Sequence, residues 1–165
     1  KNFEGKIFVA NFFFTTCKRI CPKMNSQMQW EQERFKNVDN LLFISHTVNP
    51  KNDSTEALAA YAQMIHADTK NWYFVTGDKQ TIYDLAAKGY LIAASEDAAA
   101  DGGFFHSELM VLIDKEKHIR GFYDGTSVVE VDKLIDDIKV LTAEYEKHNK
   151  SRNEITVGEP SVVKK

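Results

Sequence analysis

The sequence is most informative first in what it holds little of. Its 165 residues contain two cysteines, too few for the disulfide framework of a small secreted scaffold. Three prolines and eight glycines exclude collagen-like and low-complexity chains. There is no apolar run of about 18 residues, so no segment can span a bilayer as a helix. The chain begins at Lys1 with no initiator methionine and no signal-peptide pattern, and it reads as a mature or trimmed form. An excess of basic charge is also missing: 21 Lys and Arg face 24 Asp and Glu, for a net charge of -3. With no basic stripe, a nucleic-acid grip has no electrostatic footprint. What remains is 43% apolar and 27% charged residues, the make-up of one ordinary globular domain with a single core. No internal repeat is visible.

Residues 6–14, KIFVANFFF, form an apolar, β-rich run too continuous for a strand with one wet face, and predict a central strand. Pro22 suits the first turn of a helix expected over about 22–37, where Met24, Met28 and Phe35 share a face. LLFISHTV at 41–48 predicts a second strand. The loop NPKND follows, and then Asp53 and Glu56 at capping-box-like spacing open a helix with Leu58, Tyr61, Ala62 and Ile65 on its core stripe. WYFV at 72–75 predicts a third strand. Asp78 caps a short helix bearing Ile82, Leu85 and Ala86, which Gly89 is expected to stop. The stretch ASEDAAADGG, 94–103, has the composition of an exposed mobile loop. FFHSELMVLID and HIRGFYDG, joined by KEK, predict an antiparallel hairpin, and Leu134, Ile138, Leu141 and Tyr145 a closing helix over about 130–147. This order predicts an α/β sandwich with a central mixed β-sheet, for which a thioredoxin-like architecture fits best. The expected organisation is one domain over 1–147 and a polar tail over 148–165.

Both cysteines, Cys17 and Cys21, follow the first strand, at the end of a parallel sheet where ligands bind. Pro22 disfavours helical geometry at Cys21, which predicts Cys21 at the helix N-cap and Cys17 in the preceding loop. Across such a turn the Cα atoms can reach the ~4.4–6.8 Å of a disulfide, and shared metal ligation is equally feasible. The helix N-terminus, with Lys18 and Arg19 nearby, predicts depressed thiol pKa values. The competing reading makes both cysteines small inert core residues. Of the histidines, His118 in the hairpin turn and His148 in the tail read as solvated, His66 as a helix C-terminal cap and His46 as a satisfied core residue. His106 follows the Gly-rich loop and opens a buried strand, which on its own favours a structural role. Met24 and Met28 read as gap-fillers.

In order along the chain, FFFTTCKRICPKM, TVNPKNDSTEALAAYA, WYFVTGD and FHSELMVLIDKEKHIRGFYDGT resemble the Sco/SenC family of copper-site assembly proteins over roughly residues 5–147. The resemblance implies a thioredoxin-like fold of the peroxiredoxin-like branch and one copper ion held by Cys17, Cys21 and His106. It also implies a membrane-anchored copper chaperone that assists assembly of the dinuclear copper (CuA) site of cytochrome c oxidase subunit II or another copper-site apoprotein, with a possible upstream copper donor. The implied location is the cell envelope, on the periplasmic or extracytoplasmic side and through a tether absent from this chain, with the mitochondrial inner membrane facing the intermembrane space as the alternative. Two thiolates and one imidazole suit Cu(I) and can also hold Cu(II), whereas a closed zinc site wants a fourth ligand. Three positions depart from the family pattern: Lys18 where many members have proline, and Asn49 and Phe105 where many have aspartate. The N-terminal hairpin that usually precedes the first strand is not evident in this chain.

The alternative function is a thiol-disulfide oxidoreductase with Cys17 and Cys21 as a catalytic redox pair. The C-x3-C spacing and the lack of a proline near 100–110 count against a general thioredoxin-type reductase. A peroxidase using Thr16 and Arg19, and a copper-dependent redox sensor using the same ligands, complete the alternatives.

Overall fold

In the computed structural model, which describes residues 3–92 and 107–157 with side chains through His148, the first apolar run is strand β1 (Ile7–Phe13), buried at every position. Helix α1 (Ile20–Arg34), strand β2 (Leu41–Thr47), helix α2 (Thr55–Met64) and strand β3 (Trp72–Val75) follow. Helix α3 (Lys79–Asp84) continues into a π-helical turn, Leu85–Gly89; strands β4 (Leu109–Ile113) and β5 (Ile119–Asp124) precede helix α4 (Val128–Val157). The sheet order is β3-β2-β1-β4-β5. β1 and β2 run parallel with Ile7 opposite Leu41 and Phe13 opposite Thr47, and β3 is parallel to β2. β4 and β5 are antiparallel, as the hairpin pattern requires.

Because β1 is central, its side chains feed two cores. Phe8, Ala10 and Phe12 pack with Leu58 of α2 and Ile82 of α3. Ile7 and Val9 point the other way, toward Met24 and Met28 of α1 and Leu134 and Ile138 of α4. The alternation along one strand thus assigns two helices to each face.

Four element ends differ from expectation. α1 begins at Ile20, so Cys21 lies inside its first turn and not at the N-cap; Pro22 has no N–H to lose there, and the turn tolerates it. α2 is capped by Ser54, whose side chain accepts from the Ala57 N–H at 3.2 Å, which leaves Asp53 for another role. The helical run does end at Gly89, but in a π-helical turn and without a left-handed glycine. Instead the Tyr90 N–H reaches back to the Leu85 carbonyl at 2.9 Å across the π-helical turn, and Leu85 is exposed rather than on the buried stripe. α4 runs on to Val157, ten residues past the expected end near 147. His46 behaves as a satisfied core residue: it is buried, its Nε2 lies 3.0 Å from the Tyr90 hydroxyl, and its ring stacks on Phe12 at 5.1 Å. Burial lowers its pKa to about 4, so the ring stays neutral near pH 7.

Glu31 occupies the same α1 stripe as Met24, Met28 and Phe35 and is fully buried, and neither carboxyl oxygen has a hydrogen-bond partner among the described residues. Desolvation raises its pKa from 4.5 to about 8. Below about pH 4.5 the acid is protonated folded or unfolded. As the pH rises through 4.5 toward 8 the unfolded chain releases the proton while the folded one keeps it, so stability falls across that window. Replacing Glu31 by Leu should remove a pH-dependent penalty on the order of 4 kcal/mol. Urea midpoints should show the variant's advantage growing from pH 5 to pH 8; parallel curves would contradict a buried neutral acid.

Candidate metal centre

The turn that carries the cysteines is fixed from below. Asp53 is fully buried and takes three hydrogen bonds: from the Thr15 N–H at 3.2 Å, the Thr15 hydroxyl at 2.5 Å and the Thr47 hydroxyl at 2.5 Å. Thr15 follows β1 and Thr47 ends β2, so one carboxylate clamps the exits of two adjacent parallel strands. The Val48 N–H to Phe13 carbonyl bond, 2.8 Å, extends the pairing, and the Cys17 N–H closes the turn on the Phe14 carbonyl at 3.1 Å.

Above the clamp Cys17 and Cys21 sit as thiols not joined in a disulfide, 7% and 2% exposed. The expected depression of their pKa is not what Cys21 shows. Its pKa is raised, first by the hydrogen bond it shares with Cys17 and then by burial. A helix N-terminus contributes about 0.3–1 kcal/mol at an exposed site, too little to offset two sulfurs placed together in apolar surroundings that penalise charge. Lys18 and Arg19 are exposed and face solvent. Cys21 therefore keeps its proton in the metal-free site. A cleft of about 340 Å³ opens on Cys17, walled by Thr15, Asn25, Gln29, Tyr61 and His66. A larger cavity of about 520 Å³ along Gln32, Lys36 and Asp68 contains neither cysteine, and thiol chemistry favours the smaller one.

Among the described residues no three His, Cys, Asp or Glu side chains converge on one metal position. The two thiols are the donor pair that the described chain brings together, and their softness fits Cu(I). His106, Phe105 and the loop 94–103 lie outside the described residues. The next residue, Ser107, is buried and accepts from the Leu109 N–H at 3.1 Å. The antiparallel register, Phe8 with Ile113 and Ala10 with Val111, directs the entry of β4 to the cysteine end of β1. His66 follows the end of α2 in a left-handed conformation, φ 55°, with its N–H on the Gln63 carbonyl at 3.1 Å. His118 is exposed, 3.5 Å from Asp114, and His148 lies exposed on α4. Asn49, one of the departures from the family pattern, is buried with its side-chain amide nitrogen unpartnered.

Asp53 and Tyr61 were legible only as a cap and a core position. A threonine closing the second apolar strand and another just beyond the first were the available signal, since two hydroxyl donors beside each other at strand ends call for a shared acceptor.

The SCO1/SenC family model matches residues 1–143. A SCO1/SenC family lipoprotein from Bacillus anthracis superposes with a TM-score of 0.76 at 30% identity, over 85% of this chain and 83% of that one. BsSco, described as a member of the Sco family of cytochrome c oxidase assembly proteins in which a disulfide switch was identified, gives 0.73 at 27% identity over 85% and 82%. Copper-bound ScoI from Arabidopsis thaliana gives 0.67 at 22% identity over 88% and 87%. These likenesses establish the thioredoxin-like fold.

Replacing Asp53 by Ala should leave two hydroxyls and one N–H without their acceptor and cost on the order of 3 kcal/mol, read as a lower urea midpoint. Asp53→Asn, which keeps the shape and one acceptor oxygen, should lose less; a loss equal to that of Asp53→Ala would mean that a single acceptor oxygen does not sustain the clamp.

Proposed function

This chain belongs to the SCO1/SenC family, and on that premise we propose that it is a copper chaperone. It carries one copper ion on Cys17, Cys21 and His106 and helps to metallate the dinuclear copper site of cytochrome c oxidase subunit II or a similar apoprotein. The observation that carries the reading is the pair of reduced, hydrogen-bonded thiols at the end of β1, beneath an open cleft.

Cys21 keeps its thiol proton until cargo arrives. Cu(I) is then held by two thiolates, and any thiol proton still present is released to solvent on loading. An uncompensated pair of thiolates is unfavourable in this burial, so both ligands are charged together only when metal compensates them. His106, joined to Ser107 at the same end of the sheet, supplies the third, neutral donor. An imidazole on a separate segment can be exchanged for a partner's ligand without breaking either sulfur bond first, which gives a route for transfer. The copper-bound relative and the oxidase-assembly description of BsSco support this reading. No helix among the described residues is long and apolar enough to cross a membrane; the lipoprotein relative supports a tethered position on the extracytoplasmic face.

A second reading, thiol-disulfide exchange on the cysteines of a copper-site apoprotein, is supported by the same hydrogen-bonded pair. Either thiol could attack a partner disulfide and the other resolve the mixed disulfide, moving two electrons and two protons to the partner.

Cys17→Ala and Cys21→Ala should each abolish stable copper binding while the folded state persists, and His106→Ala should weaken it about tenfold or more, ~1.4 kcal/mol. Copper titration against a competing chelator checks this, and wild-type affinity in both cysteine variants would overturn the chaperone reading. Protein oxidised to a verified Cys17–Cys21 disulfide should take up no copper, because a disulfide offers neither of the two thiolate donors and one imidazole alone does not hold the ion. Mass spectrometry of the oxidised protein after copper addition reads the result, and equal loading of the two redox forms would refute the ligand set.

A further inference from the structure

Tyr61 lies on the buried face of α2, with its ring 5.3 Å from Phe13 and 6.2 Å from Phe74. Its hydroxyl is engaged by the next turn of α1 after Cys21: Asn25 Nδ2 donates to the Tyr61 oxygen at 2.5 Å. Asn25 is itself 3% exposed and its own Oδ1 has no hydrogen-bond partner among the described residues. The bond to Tyr61 is thus the polar contact that orients the amide, which is held at the expense of its carbonyl end. Both residues wall the cleft that opens on Cys17. Charges on Cys21 and, less strongly, on Cys17 act on the Tyr61 hydroxyl.

A phenol that accepts a hydrogen bond from an amide still has its own hydrogen to give. In the metal-free protein the two thiols hydrogen-bond to each other. Loading copper leaves two thiolates and places negative charge on sulfur in a site with few donors. Resting on the copper reading above, we propose that Tyr61, oriented by Asn25, donates its hydroxyl hydrogen to a sulfur of the copper-bound thiolate pair, and thereby sets the strength of the copper–sulfur bonds. Cys21 is the sulfur whose charge acts on it more strongly. Tyr61 is a positioning residue in this scheme, since it acts through a ligand and not on the metal. A donor on sulfur lowers the energy of its lone pairs, which stabilises the thiolate and draws electron density away from copper.

Tyr61→Phe keeps the ring and deletes only the donor. Cu(I) affinity, measured by chelator competition, should fall about tenfold, ~1.4 kcal/mol. In the Cu(II)-loaded protein the thiolate-to-copper charge-transfer band should move to longer wavelength, because a sulfur without its donor gives up an electron more easily. Asn25→Ala should shift the band in the same direction by less. Tyr123→Phe, which deletes a hydroxyl bonded to Asp137 at 2.7 Å on the far side of the fold, should change neither readout. The band is read on the copper-bound fraction, so a loss of stability does not mimic it. A Tyr61→Phe band at the wild-type position, with or without weaker binding, overturns the donor role while the chaperone reading stands. Wild-type protein that takes up no copper overturns both.

Discussion

One buried carboxylate organises the functional end of the molecule. Asp53 holds Thr15 and Thr47 together, and those residues mark where two parallel strands release the chain. Parallel strands cannot close their own ends with a short turn, so each exit must be stabilised by something outside the ladder. Here a single acceptor serves both. The turn that contains Cys17 is thereby referenced to β2 as well as β1, and the start of α2, two residues beyond Asp53, is referenced to the same point through its cap Ser54. Tyr61 then lies two turns along that helix, over the cysteines. Thiols, clamp and tyrosine form one mechanical unit.

Two electrostatic effects compete at the thiol pair. The helix N-terminus favours thiolate, whereas burial and the neighbouring sulfur favour thiol, and for Cys21 the second group wins. Cys21 is thereby held as a thiol beside the sulfur of Cys17.

The strands and their pairing were readable from continuous apolar runs, since a doubly buried strand has no polar alternation to confuse it. Helix bodies followed from stripes such as Met24–Met28 and Leu134–Ile138 for the same reason. Helix ends were less legible. Pro22 was consistent with several positions in the first turn of α1, and Gly89 looked like the stop of an α-helix because composition does not distinguish an α-helical end from a π-helical one. The cysteines announced the site by chemistry and location. Asp53, Asn25 and Tyr61 did not, because each has an ordinary local explanation as cap, helix surface or core, and their role depends on the Asp53–Thr15 and Asn25–Tyr61 contacts, 38 and 36 residues apart. Glu31 sat on an apolar stripe where no local rule predicts a carboxyl.

The π-helical turn at Leu85–Gly89 carries a consequence for how this region tolerates change. One added residue in a helix rotates everything after it by roughly 100°, and that rotation is what sets the Tyr90 hydroxyl against His46. Deleting a single residue from the turn would swing Tyr90 away and strand a neutral imidazole among Phe12 and its apolar neighbours. Replacing His46 alone would leave the phenol stranded instead. The π-helical turn and the histidine are thus structurally coupled, because changing either one leaves a buried polar group of the other without its partner.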